Sequence, residues 1–312
     1  MKLGLLEFGT GCVSPLDIVD TILEYAQLAE ELGYTRFWLG EHYGTVAPYS
    51  NPEVLLPIIA GMTSEIRVGV AGLLMAFHNP YRVASTFKVL NNLFPNRIDL
   101  GVAGGGVPPE IRTLLVPEVD LSVPAVKVAR FVKNSTDLYE YLYAEKNTGL
   151  IAPVGGYVPT YWSLSANLNN IPALARPAGS LCKSVFHTEI IDHQREAEKL
   201  QEYRAVFSEK HGREPEINLA VAGICAETTR QACRIQAELQ RPFGLYNELI
   251  GSPTFILDEL AKWQELYGVD EFIFMNMAEE TAHKRNGIEL LARHRSAYAG
   301  SVFVPATLAT AA

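Results

Sequence analysis

Six short stretches of this 312-residue chain hold side chains or backbone able to do chemistry: Glu7-Phe8, Glu41-His42, Ala76-Phe77-His78, Gly104-Gly105-Gly106, Ser165-Ala166-Asn167 and His187. An imidazole titrates near neutrality, so His42 reads as a proton donor or acceptor; the plainer alternative is a histidine satisfied by Glu41 or by a backbone group. Three consecutive glycines let a ligand approach bare backbone, although glycines also simply end strands. Ser165, Ala166 and Asn167 stand just before a short helix with Pro172 in its first turns. A hydroxyl beside helix N–H groups suits a phosphate, and an ordinary N-cap accounts for the same residues. Two histidines and two glutamates could ligate a metal, as in barrel hydrolases, but no H-x-H follows the first strand and no Lys or Asp completes the set. No metal is expected.

Three local matches carry no chemistry. Ser180-Leu181-Cys182-Lys183 fits S-x-x-K but lies inside an expected strand. Asn134-Ser135-Thr136 is a glycosylation sequon in a chain with no secretion signal. His187 and His193, six apart, do not share a helical face. The four cysteines, Cys12, Cys182, Cys225 and Cys233, are far apart without C-x-x-C, and read as small buried apolar residues.

All six stretches fall at the ends of apolar runs, and those runs alternate with amphipathic segments. Strands are expected over Lys2–Phe8, Arg36–Gly40, Ile66–Met75, Arg97–Ala103, Val158–Ser163, Ser180–Phe186, Ile217–Ala226 and Glu271–Met277. Between them Ser14-Pro15 and Gly33 bracket a helix, and further helices are expected over Pro52–Met62, Pro80–Leu93, Val126–Tyr143, Asn170–Arg176 and Thr188–His211. Val107–Pro124, with four prolines, reads as a long loop. Eight strand-then-helix units in one domain, residues 1–312, are the count of a (β/α)8 TIM barrel with strand-end loop insertions. An open doubly wound sheet would place a G-x-G-x-x-G turn after its first strand, which Gly9-Thr10-Gly11 does not complete. In a barrel, chemistry belongs at the C-terminal strand ends, where the six stretches lie.

Composition narrows the partners. The chain is 48% hydrophobic and carries 26 Lys+Arg against 35 Asp+Glu, a formal net charge of −9, with no basic stripe. Nucleic acid and anionic membrane are poor partners for such a surface. No apolar stretch is long enough to span a bilayer and the N-terminus has no signal-peptide pattern, so a cytoplasmic protein is expected.

Trp38-Leu39-Gly40-Glu41-His42-Tyr43 resembles the W-x-x-E-H-H signature of the bacterial luciferase-like flavin monooxygenases. The resemblance continues through Asn51–Leu55, Ile66–Gly69, His78–Ala84 and Leu93–Val102. It resumes at Gly251-Ser252-Pro253 and Gly268-Val269-Asp270-Glu271, so it runs in order along nearly the whole chain. It implies a TIM barrel and a flavin-dependent monooxygenase. Reduced FMN from a separate flavin reductase would react with dioxygen, through a flavin hydroperoxide, to oxidise a small molecule, in natural-product tailoring for instance; the aliphatic, Tyr and Pro residues of the strand-end loops point to an apolar or aromatic one. A deazaflavin-dependent dehydrogenase, or a non-catalytic flavin-binding relative, is the alternative. The resemblance makes His42 the acid/base and puts Glu41 and the strand-three pair Ala71-Gly72 at the flavin. It adds Ala103 and Gly104, and sets Ser165, Ala166 and Asn167 at the flavin phosphate. It also implies a homodimer packed through early barrel helices.

The departures are specific. Gly104 stands where much of the family has an arginine for the phosphate, Ala103 replaces the cysteine of light-emitting members, and Tyr43 replaces the second histidine. Light emission is therefore not expected, and the cation at the phosphate is missing. The loops 45–50, 107–124 and 241–252 are expected to shape the pocket.

Overall fold

The structure, a computed structural model, describes residues 1–9, 14–44, 47–144, 147, 149–187, 192–239, 245 and 247–301. Cys12, the Thr10-Gly11 part of the first turn, the start of the expected 188–211 helix and parts of the 45–50 and 241–252 loops lie outside these residues.

Eight parallel strands close a barrel: β1 (Lys2–Glu7), β2 (Arg36–Leu39), β3 (Arg67–Leu74), β4 (Ile98–Ala103), β5 (Thr160–Ser165), β6 (Ser180–Ser184), β7 (Ile217–Cys225) and β9 (Glu271–Asn276). β1 pairs with both β2 and β9, and β6 with β7, so the ring has no break. The expected (β/α)8 barrel is thus observed. Along each strand, alternate residues face two cores, as the period of two requires. Leu6, Trp38, Trp162, Ile273 and Met275 fill the interior, whereas Leu5, Phe37, Phe272 and Phe274 face the helices.

The outer layer is α1 (Pro15–Glu31), α2 (Leu56–Met62), α3 (Pro80–Leu93), α4 (Pro109–Leu115), α5 (Pro124–Tyr143), α6 (Ile171–Leu174), α7 (His193–His211), α8 (Thr229–Ala237), α9 (Pro253–Tyr267) and α10 (Thr281–Ser301). Helix starts follow local chemistry. Ser14, Asn79, Asp192 and Ser252 each accept a backbone N–H three residues on, and proline opens the helix behind three of them.

Two elements were not expected at all. Residues 107–124, expected as a loop, contain α4. Its Pro109 occupies the first helical position, where a missing N–H costs nothing, so the proline density disguises a helix. A ninth strand, β8 (Leu249–Gly251), pairs with Gly223–Cys225 at the end of β7. β9 takes the other edge of Gly223 and β6 stops pairing at Ala220, so β8 extends the barrel wall on the β6 side.

The N-terminal end of the barrel is closed by charge. Arg36 bonds Asp99 and Glu271, Arg67 bonds Asp99, and the Trp38 indole donates to the same carboxylate at 2.9 Å. Burial pushes the Asp99 carboxyl up, but Arg36 and Arg67 outweigh it and hold it below its ordinary range. This end is structural, which leaves the opposite rim for chemistry.

Candidate active site

The rim is built from the turns after β1 to β6. His42 follows β2 by three residues and presents its ring to solvent, with the edge of Phe8 from the β1 turn 4.7 Å away at 77°. Desolvation by the surrounding protein lowers the His42 pKa from the ordinary 6.5, and the Glu41 charge opposes it without winning. The imidazole is therefore neutral near pH 7 and can take or return a proton.

Glu41 does not satisfy His42. Its carboxylate is buried and turns toward β3, where it receives the Leu74 N–H at 2.8 Å, the Tyr43 hydroxyl at 2.7 Å and the His78 Nε2 at 2.8 Å. The reading of His42 as a histidine held by Glu41 is thus corrected: that partner is His78. Burial lowers the His78 pKa, but the hydrogen bond and charge of Glu41, with the charge of Glu53, raise it overall. Burial raises Glu53 as well, and its Oε2 has no hydrogen-bond partner.

Ala71 and Gly72 form a bulge in β3: Val70 pairs with Leu100 and Leu73 with Val102, so two residues oppose Gly101 alone. The Ala71-Gly72 peptide is cis. The approach demands small residues, because a Cβ on Gly101 would strike the Val70 carbonyl oxygen. On the next strand Ala103 is half-buried and Gly104, Gly105 and Gly106 are exposed, presenting backbone on the rim. A Cβ at Gly104 would meet only the Phe131 ring, 3.8 Å away.

Ser165 ends β5, and its hydroxyl donates to the Asn167 carbonyl. Beneath this turn Lys183 of β6 is buried and donates to the Ala166 carbonyl at 2.9 Å and the Ser184 carbonyl at 2.8 Å, with Glu196 at 3.3 Å. The expected helix behind the turn corrects to a single turn, α6, capped by Asn170; Ser165–Asn167 are not its N-terminus.

His187, beyond β6, bonds the Ser184 hydroxyl at 2.6 Å. Its pKa is lowered by burial first, then by Lys183 and by His42, which brings the two rim histidines within electrostatic reach of each other.

A model of the luciferase-like monooxygenase family matches residues 7–122, which span the β1 to β4 half of this rim. A luciferase-like monooxygenase of Escherichia coli (strain K12) is 27% identical over 286 residues, covering 88% of this chain and 82% of that protein. The chain belongs to the luciferase-like monooxygenase family. It is an enzyme, an oxidoreductase of the monooxygenase class. An uncharacterized Bacillus subtilis (strain 168) protein, YceB, is 32% identical over 227 residues, 70% of this chain and 66% of the relative. The solved apo structure of MsnO8 superposes with a TM-score of 0.80 at 25% identity, covering 95% of this chain and 98% of that one.

Spacing alone left several of this monooxygenase's rim residues unconnected. His78 and His187 stood at strand ends, but the partner of His78 comes from the end of another strand, whereas His187 turns back onto Ser184 of the strand it follows. Lys183 sat inside the dismissed S-x-x-K stretch; it does lie in a strand, with its ammonium under the Ser165 turn. The sequon Asn134 is buried in α5, donating to the Met75 and His78 carbonyls. Of the cysteines, Cys182 and Cys225 are buried, each thiol pushed up to about 12 by burial, whereas Cys233 is exposed against expectation. Among the described residues no helix is long and apolar enough to cross a membrane.

Proposed function

We propose that this single-domain enzyme is an FMN-dependent monooxygenase that receives reduced FMN from a separate reductase and oxidises a small apolar or aromatic molecule with dioxygen. One observation carries the reading: a neutral, solvent-facing His42 stands on a rim whose neighbouring strands present backbone instead of side chains, at the Ala71-Gly72 bulge and at Gly104–Gly106.

Those residues fit the cofactor. Bare backbone on two adjacent strands lets a flat ring system lie close, and the β3 bulge exists only because Gly101 and Gly72 leave room. Bound reduced FMN would supply the two electrons that activate dioxygen. Everything else falls to the chain. His42 moves a proton at its imidazole, a role its depressed pKa suits, because the neutral ring accepts and the protonated ring donates readily. Glu41 acts on the flavin through the backbone, holding Leu74 N–H and hence the end of the bulged strand. Ala103 and Gly104 line the ring and its tail, and the Ser165, Ala166 and Asn167 turn, braced by Lys183, receives the phosphate. Phe8, Tyr43 and the apolar group of Leu74, Phe77, Val107 and Leu121 surround the entrance and keep water out, which favours an apolar substrate. Ile58, Met62, Val89 and Leu93, exposed on α2 and α3, support the homodimer proposed through these helices.

The test mixes the protein with a flavin reductase, NADH and FMN, and measures oxygen uptake and product across a panel of apolar and aromatic molecules. Substrate-dependent oxygen incorporation supports the reading. Turnover with a reduced deazaflavin coenzyme and no oxygen uptake would replace it with the dehydrogenase.

A further inference from the structure

Three exposed glycines in a row at the end of β4 make a seat of bare backbone, and one cation overlooks it. The ammonium of Lys127 lies 3.7 Å from where a Cβ on Gly106 would stand, and Phe131, one helical turn further along α5, covers Gly104. One face of α5 therefore roofs the glycine turn and carries its positive charge there.

The charge is otherwise unexplained. Lys127 is half-buried in the first turns of α5, where a positive charge opposes the helix dipole and no acidic residue compensates it. Among the described residues it forms no ion pair, in contrast to the other cations of the helix: Arg130 donates to the Ala76 carbonyl and reaches Glu118, and Lys133 is paired with Asp137. Lys183, the other cation at this side of the rim, is buried, donates to the Ala166 and Ser184 carbonyls, and has its charge paired with Glu196 at 3.3 Å. A lysine kept at the wrong end of a helix, facing bare backbone and lacking a carboxylate, is arranged for an anion that arrives from outside.

We propose that Lys127 binds the phosphate of the flavin nucleotide, delivering from α5, across the turn, the cation that Gly104 cannot carry. This rests on the FMN reading above. Lys183 is a positioning residue in the same site, holding the Ser165–Asn167 turn against which the phosphate would rest.

The experiment is an anaerobic calorimetric titration of the full chain with dithionite-reduced FMN and, separately, reduced riboflavin, which lacks the phosphate. The wild type is expected to favour FMN. Lys127→Ala should weaken FMN about tenfold, a loss typical of one charge-assisted contact, and leave riboflavin unchanged. Lys127→Arg should keep the preference, and Lys133→Ala, which removes an equal charge further along α5, should leave it intact. An unchanged FMN-to-riboflavin ratio in Lys127→Ala, with wild-type thermal unfolding, overturns the assignment while the FMN reading stands. Binding of neither flavin to the wild type overturns the FMN reading and this inference with it.

Discussion

The buried carboxylate of Glu41 and the half-buried ring of His78 pair 2.8 Å apart, between the end of β2 and the turn that leads into α3, and the same carboxylate holds the Leu74 backbone of β3. Two consecutive barrel units are tied at one carboxylate directly behind the rim histidine. The pair is charged only while His78 is protonated, so its stabilisation depends on pH. The folded pKa of His78 is raised above the ordinary 6.5. Its contribution is complete below about pH 6.5 and fades as pH rises through the higher folded value. His78→Gln should therefore destabilise most at mildly acidic pH, by roughly 1–3 kcal/mol, and progressively less in alkali. Urea unfolding of both proteins at pH 6 and pH 9 measures the difference; a gap that widens with pH would contradict the assignment.

His42 has the opposite sign. Its pKa is lowered from 6.5, so the neutral ring persists below the pH at which a free histidine protonates. If the neutral ring accepts the proton, kcat/KM for oxygenation should hold down to pH 6.5 and fall only below it. His42→Gln should lower kcat by about 100-fold or more and remove the acid limb, with flavin affinity little altered. A pH–rate profile of both forms, with reduced FMN supplied chemically, decides it. An acid limb that survives the substitution belongs to another group.

How far these features could be read without coordinates varied with how local their causes are. The span Pro80–Leu93 matched at both ends, because Asn79 and Pro80 set its start by their own chemistry and Leu93 precedes Phe94 with non-helical torsions. β5 was expected from Val158 to Ser163 but runs Thr160–Ser165. Pro159 cannot donate to a ladder, so pairing begins after it, and Ser165 becomes a strand end instead of a turn residue. β8 is three residues long and owes its existence to an edge of β7 that β6 leaves open, a fact of the closed barrel with no signature of its own. The strand-end histidines were visible as types, but the pairing of Glu41 with His78 instead of His42 depends on which way a buried carboxylate turns between two strands. Lys127 carried no motif at all; it matters because α5 lies over the glycine turn.

Lys284 of α10 donates to both oxygens of Glu7 at 2.8 and 2.7 Å, and both side chains are almost fully buried at the end of β1. Glu7 Oε1 also accepts the Gly9 N–H that begins the turn below Phe8. Removing the ammonium strands a buried carboxylate, which costs about 3–5 kcal/mol. Lys284→Met should therefore unfold at markedly lower urea concentration, and more of the loss should be recovered in the double variant Glu7→Gln with Lys284→Met than additivity allows. A single substitution with wild-type stability would show that the pair contributes nothing.

Gly104 gives the most direct handle on the missing cation. Its backbone is not in the left-handed region, and a Cβ there meets only Phe131 at an ordinary 3.8 Å, so a side chain fits without moving the strand. Gly104→Arg should leave stability within about 0.5 kcal/mol of wild type, as an exposed substitution away from strain does. It should also place a guanidinium at the glycine turn, where a fork of N–H donors matches a phosphate better than the single ammonium of Lys127. Reduced FMN should bind about tenfold tighter than to wild type with riboflavin unchanged, and the same substitution should restore FMN preference in the Lys127→Ala background. The two single variants and the double variant, titrated with both flavins, form a closed cycle. If the gain from the arginine differs between the wild-type and Lys127→Ala backgrounds, the two cations are coupled and serve one phosphate from opposite sides of the same turn. If each substitution acts on FMN regardless of the other, they serve different sites, and the phosphate does not lie between Gly104 and α5.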